Sequence, residues 1–231
     1  MTVAGVDGCG GRWLVVTAAS TGPVDRLDAA LVDALDDLVA DHRAGRLAAL
    51  AVDMPIGLLE DRPRPADRAA RAARGSRRSS VFPAPARVTL GATDYAEACE
   101  RSRRVSGKAL SKQTFHLLGP IGQLDRLLGP DDTAVVEAHP ELAFARLDDD
   151  RPLPAKRSED GRRRRIELLT AHFGPAFDRL IEAAPGTGLP VEDLLDATAL
   201  VVTARHLVAG TSRHLGGEVT DAGGKRVQIV W

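Results

Sequence analysis

Apolar and polar positions along this chain follow two rhythms, and each predicts an element. Residues 2–7 (TVAGVD) are an apolar run that ends in an acid, and residues 12–18 (RWLVVTA) are rich in β-formers. Gly8, Gly10 and Gly11 between them predict a tight turn, so the chain opens as a hairpin, with residues 24–28 as a third short strand of an antiparallel meander. Leu31, Val32, Leu35, Leu38 and Val39 recur at helical spacing and predict a helix over 31–40. Residues 47–52 (LAALAV) are apolar without interruption, as in a strand buried on both faces, and stop at Asp53 before Met54 and Pro55. Helices are expected over 69–74, 95–105, 141–147 and 158–172, and over 111–128 with an interruption near Gly119 and Pro120. Residues 79–87 contain Pro83 and Pro85 and read as loop. Residues 133–137 (TAVVE) repeat the pattern of an apolar run closed by an acid. The longest helix is expected over 191–209, apolar on more than one side, and residues 226–231 (RVQIVW) read as a strand.

This pattern puts acids where apolar sequence stops. Asp7, Asp53 and Glu137 each close an apolar strand, and Asp193 and Asp196, three apart, share one face of the long helix. Charged residues are seldom buried without a partner or a metal. Carboxylates brought together repel one another unless a cation lies between them. If the three strands are neighbours, the five carboxylates meet at one edge of the sheet. Such hard oxygen ligands suit Mg²⁺ or Mn²⁺, and two ions about 4 Å apart can serve an in-line displacement at phosphorus. Taken singly, each acid also has an ordinary reading: Asp53 can accept backbone N–H bonds in a turn, and Asp193 can cap its helix.

Composition narrows the setting. The 231 residues suffice for one domain with a sizeable insertion, and 44% hydrophobic with 27% charged residues is normal for a soluble globular chain. Only 3% is aromatic, so aliphatic side chains must fill the core. Two cysteines without zinc spacing fit a reducing, cytoplasmic setting. The first residues read as a strand and not as a secretory leader, and no apolar run is long enough to span a membrane. The net charge of −1 conceals a basic stretch, because residues 61–113 hold 13 Lys/Arg against 5 Asp/Glu. That stretch is a candidate surface for a polyanion, or a solvated face of an arginine-rich chain.

Several side chains there could meet phosphate oxygens: Arg77, Arg78 and Ser79 through guanidinium and hydroxyl donors, and Lys108, Lys112 and Gln113 through charge and amide. The competing reading pairs the arginines with local acids. Glu141 is a candidate extra metal ligand, and His139 a proton shuttle or a structural histidine. Lys156 and the run from Arg162 to Arg165 either steer nucleic acid or cover a helix in water.

Taken in order, GVDGCGGRW (5–13), VDMPIGL (52–58), RRSSVFPAPAR (77–87), GKALSKQ (107–113), EAHPELAF (137–144), KRSEDGRRRR (156–165), DLLDA (193–197) and the final QIVW resemble the DUF429 family, described as ribonuclease H-like nucleases. The resemblance runs almost end to end. It implies an α/β fold with a ribonuclease H-like mixed five-stranded sheet flanked by helices, three antiparallel strands first. It implies one domain over 1–231 with a helical and loop insertion, basic in charge, at about 58–132. It assigns Asp7 to the first strand, Asp53 to the fourth, Glu137 to the fifth, and Asp193 with Asp196 to the last core helix. The acidic pair before LLDA is here Glu192 and Asp193, which leaves two candidates for one ligand.

The expected function is a nuclease that hydrolyses phosphodiester bonds in RNA or DNA. Asp7, Asp53, Glu137, Asp193 and Asp196 would be its catalytic acids and, with Glu141, its ligands to Mg²⁺ or Mn²⁺. Arg77, Arg78, Ser79, Lys108, Lys112, Gln113 and Lys156 would contact substrate. Two alternatives remain open: another phosphoryl-group enzyme acting on a nucleotide or small phosphate ester, since GVDGCGG also resembles the phosphate-facing hairpin of actin-like sugar kinases, or a non-catalytic nucleic-acid-binding module.

Overall fold

The central strand forms because its sequence can be buried on both faces. A computed structural model describes residues 1–73, 83–151 and 153–231. In it β1 (Thr2–Cys9) runs between β2 (Arg12–Ala19), antiparallel, and β4 (Leu47–Val52), parallel. Cys9 pairs with Arg12, so the β1–β2 turn is Gly10–Gly11. Both residues have positive φ, as the tight hairpin turn that matches strand twist requires. β3 (Asp28–Val32) pairs antiparallel with β2, and β5 (Val135–Glu137) pairs parallel with β4. The sheet order is β3-β2-β1-β4-β5, a mixed five-stranded sheet of the ribonuclease H-like kind in an α/β chain.

The chain divides into two compact units. The first comprises Met1–Asp53, Ala134–Arg213 and Val230–Trp231. It holds the five-stranded sheet with α1 (Asp36–Arg43), α5 (Pro140–Leu147), α6 (Glu159–Phe173), α7 (Pro175–Thr187) and α8 (Val191–Val208). Helix α8 lies against β1, β2 and β4, and α5 and α6 pack on it. The closest approach is at Gly5, where a Cβ would stand 2.1 Å from the Ala197 carbonyl oxygen and 2.5 Å from the Val201 nitrogen. Only a residue without a side chain lets the helix backbone settle onto the strand.

The second unit comprises Met54–Thr133 and His214–Ile229, and the stretch expected as a basic insertion falls inside it. It contains α2 (Pro65–Ala73), a short 3₁₀ turn (Arg87–Thr89), α3 (Tyr95–Ser106) and α4 (Lys112–Leu127). The β6 (His214–Thr220) and β7 (Arg226–Val230) hairpin accompanies them. Asp221 is its buried centre. Its carboxylate accepts from the backbone N–H groups of Gly223, Lys225 and Leu58 and pairs with Arg87 at 2.5 Å and Lys225 at 3.3 Å. Arg87 also reaches Glu60 and Asp125, and Lys225 reaches Asp125.

The structure corrects several boundaries. The third strand is Asp28–Val32 instead of 24–28, so Leu31 and Val32 leave the expected helix, which begins at Asp36. The edge of β2 wins this competition: it pairs with residues 28–32, and Arg12 fastens the strand end through the Leu31 carbonyl and Asp33. Helix α4 runs through Pro120 without a break. Buried Leu118, Ile121 and Leu124 hold both halves on one apolar face, which offsets the missing N–H. Helix α7 and strand β6 were not anticipated. Among the described residues no helix is long and apolar enough to cross a membrane.

Candidate functional site

Register brings the expected acids together. Val6 is paired with Val52, and the Asp53 N–H donates to the Val6 carbonyl at 2.9 Å, so Asp7 and Asp53 each follow the last paired positions of this parallel ladder. Asp7 does not close β1 as expected, because the strand runs on to Cys9 with Asp7 opposite Leu14 in the hairpin with β2. Val52 is paired with Glu137 across the next parallel ladder. Side chains alternate along a strand, so Asp7 shares the face of Gly5, the face on which α8 rests. The contact at Gly5 is with Ala197, and the neighbouring Asp196 therefore comes down beside Asp7. Asp193, one turn earlier, points the same way.

The electrostatics record this convergence. Burial pushes the Asp7 carboxyl up to about 9, and Asp53, Asp196 and Asp193 push in the same direction. Asp53 keeps some surface accessible to solvent, yet protein atoms crowd it. Burial first, then Asp196, Glu137 and Glu141, drive it up to about 8, against the pull of Lys156. Burial also raises Asp196, which is 4% exposed, although the Lys156 ammonium forms an ion pair with its Oδ2. Burial alone would lower the Lys156 ammonium, but Asp196, Asp7 and Asp53 outweigh it and the net shift is upward. The Cys9 thiol is raised to about 11 by burial and by a hydrogen bond with Asp193. Asp7 also accepts the Gly8 N–H at 2.8 Å.

The remaining candidates fall into distinct surroundings. Glu141, at the start of α5, is an ion-pair partner of Arg165, a guanidinium that is 1% exposed and stacks 5.2 Å over the Phe144 ring. His139 caps α5, its Nδ1 accepting the Glu141 N–H at 3.2 Å. Of the two acids before LLDA, Asp193 faces Asp7 and Cys9, whereas Glu192 pairs with Arg162 on α6. The arginine run is paired along its length: Arg162 with Glu192, Arg163 with Asp160, Arg164 with Asp148 and Glu167, Arg165 with Glu141. Lys108, Lys112 and Gln113 are exposed residues of the second unit. Arg77, Arg78 and Ser79 lie outside the described residues.

Lys156 was expected at the substrate, and its ammonium is found on Asp196. Its loop is tightly built. Arg165 donates to the Pro154 carbonyl at 3.2 Å, and the Ser158 hydroxyl donates to the Ala155 carbonyl at 2.8 Å. A Cβ at Gly161 would stand 1.9 Å from that same Ala155 oxygen, so the start of α6 lies directly against the loop.

As a donor set, three buried or half-buried aspartates with a glutamate alongside are hard oxygen ligands, the chemistry of Mg²⁺ or Mn²⁺. Within this set, Oδ1 of Asp196 is buried and receives no hydrogen bond from the described residues. Among the described residues no three His, Cys, Asp or Glu side chains form a ready metal shell. A cation would have to draw these carboxylates inward.

A family model described as "Protein of unknown function (DUF429)" matches residues 5–221. Searches of curated proteins and of solved structures gave no match.

Proposed function

Because the chain belongs to the DUF429 family, whose description assigns no activity, we propose from the chemistry of the site that the protein is a metal-dependent nuclease hydrolysing phosphodiester bonds in RNA or DNA. One observation carries this reading: the fold spends stability to hold Asp7, Asp53 and Asp196 together, burying like charges that raise one another's proton affinity. Carboxylates perturbed by burial and by a specific charged neighbour are a feature of functional sites, and a divalent cation would relieve the repulsion.

Asp7, Asp53, Glu137, Asp193 and Asp196 are the residues that would hold Mg²⁺ or Mn²⁺. Bound there, the metal would lower the pKa of water and offset charge on the leaving oxygen. The chain's own groups do the rest. Asp53, Asp193 and Cys9 keep solvent-accessible surface, so water and a phosphodiester reach the cluster from their side. Lys156 offsets negative charge as a phosphate approaches, and Arg165 holds Glu141 while bracing the Lys156 loop. Exposed Lys108, Lys112 and Gln113 offer phosphate contacts on the second unit's own surface in this reading. Neither cysteine forms a disulfide, in keeping with a cytoplasmic setting.

The test is cleavage of a panel of RNA, DNA and hybrid substrates by the purified chain with Mg²⁺ or Mn²⁺. Altering a residue that only supports a metal ligand costs 10–100-fold, so Asp7→Asn and Asp53→Asn should each cost about 100-fold or more. Cleavage that survives both substitutions unchanged rejects the site.

A further inference from the structure

The two oxygens of the Asp196 carboxylate are provided for differently. Oδ2 carries the ammonium of Lys156. Oδ1 is buried with no hydrogen-bond partner among the described residues, in a residue that is 4% exposed. A buried carboxylate oxygen calls for a positive partner. Among the described residues, one side of Asp196 has that partner and the other lacks it.

Lys156 is partly exposed, with 37% of its side chain open to solvent, but the backbone that carries it is anchored. Leu153, three residues before it, is 1% exposed and anchors the segment in the core. Arg165 holds the Pro154 carbonyl, Ser158 holds the Ala155 carbonyl, and Gly161 admits the loop against α6. Asp7 and Asp53 act on the same ammonium, so its charge serves the three inner aspartates together. A second metal ion on Oδ2 would have to displace the Lys156 ammonium from its ion pair.

We propose that the centre takes one divalent cation, held by Oδ1 of Asp196 with Asp7 and Asp53, and that the Lys156 ammonium stands in the position of a second ion. This rests on the metal-nuclease reading and replaces the sequence expectation of two ions with one ion and one lysine. Lys156 is thereby a positioning and charge-balancing residue. It cannot activate water as a metal does, but it can hold Asp196 and donate to a phosphate oxygen.

The experiment counts Mn²⁺ ions bound by the full chain, from the spectroscopic signal of free Mn²⁺ during titration, with calorimetry in parallel. The wild-type protein and Lys156→Arg, which keeps the charge, should each bind one ion. Lys156→Met, which keeps the length and removes the charge, should bind two. Two ions in the wild-type protein overturn the proposal and leave the nuclease reading standing, as does a single ion in folded Lys156→Met. Should Lys156→Met fail to fold, the counts for the wild-type protein and Lys156→Arg decide: one ion in each supports the proposal, and two in either overturns it. No Mn²⁺ bound by the wild-type protein at millimolar concentration overturns this proposal and the nuclease reading together.

Discussion

Each compact unit of this chain buries a cluster of charge, and the two clusters are neutralised to different extents. In the second unit Glu60, Asp125 and Asp221 face Arg87 and Lys225, and each acid has a cation within 3.3 Å. Asp221 adds three backbone N–H donors. That cluster ties the β6–β7 hairpin to residues far away in sequence: inside it two acids, Asp125 and Asp221, face two cations, Arg87 and Lys225, and Glu60 lies at its exposed rim. In the first unit Asp7, Asp53 and Asp196 share, among the described residues, the ammonium of Lys156, with the Arg165 guanidinium also acting on Asp196; burial raises all three, and neighbouring carboxylates push in the same direction. A cluster satisfied from within is a structural device. A cluster left short of positive charge is costly for a fold, and stored cost of this kind accompanies a site that awaits a ligand.

The strongest test removes one charge from the balanced cluster. Asp221→Asn leaves the buried Lys225 and the half-buried Arg87 with one anion fewer, and breaking a buried pair from one side costs about 3–5 kcal/mol. The expected result is a large drop in thermal stability with early loss of hydrogen-exchange protection at Arg226–Val230. A variant as stable as the wild type would show that this network contributes little and would remove half of the comparison.

Gly5→Ala tests whether α8 is the element that assembles the unbalanced cluster. The new Cβ would collide with helix backbone at Ala197 and Val201, not with a side chain that can turn away. Overpacking typically costs about 1–3 kcal/mol, and here the helix must lift from β1. Metal affinity should fall with stability, because Asp196 rides on the same turn. Calorimetry that finds Mn²⁺ binding unchanged in a destabilised Gly5→Ala would separate the helix contact from the site.

How much of this was legible in the sequence follows from which interactions are local. β1, β2 and β4 were readable because an unbroken apolar run has few other places to go. β3 was not, since Leu31, Val32, Leu35, Leu38 and Val39 fit a helix as well as a strand followed by a helix, and only the open edge of β2 decides. Helix α7 was hidden by Pro175 at its first turn and Pro185 near its end, positions that the fold tolerates. β6 was hidden by Gly216 and Gly217 and a scarcity of apolar residues. The acids stood out because they interrupt apolar segments. Their counter-charges did not: Lys156 meets Asp196 across 40 positions and Arg165 meets Glu141 across 24, and no local pattern encodes either pair.

A smaller effect of opposite sign distinguishes the clusters again. Asp7→Asn removes a carboxyl that the folded protein must hold either protonated or charged among other acids, without changing the size of the side chain. Without metal it should stabilise the protein by about 1 kcal/mol, roughly 2–4 °C in melting temperature for a chain of this size. With Mn²⁺ present the gain should disappear, because the wild-type protein then draws stability from the bound ion and the variant does not. A melting temperature for Asp7→Asn below that of the metal-free wild type would assign Asp7 a structural role like that of Asp221.

The smallest effect is a slope with pH. Asp7 and Asp53 have their proton affinity raised on folding, to about 9 and about 8 from an ordinary value of 3.8. The folded protein therefore holds protons that the unfolded chain releases. The stability this contributes is complete below the unfolded value and is lost as pH rises through 8 to 9. In chelator, the melting temperature of the wild-type protein should fall across pH 6–9, and the fall should be shallower in Asp7→Asn, so that the difference between the two curves isolates these groups from the rest of the chain. Saturating Mn²⁺ should flatten or reverse the wild-type slope, because the ion competes with the protons for the same oxygens. Parallel curves for the two proteins in chelator would mean that Asp7 is not titrating under repulsion, and the contrast between a balanced and an unbalanced cluster would lose its physical basis.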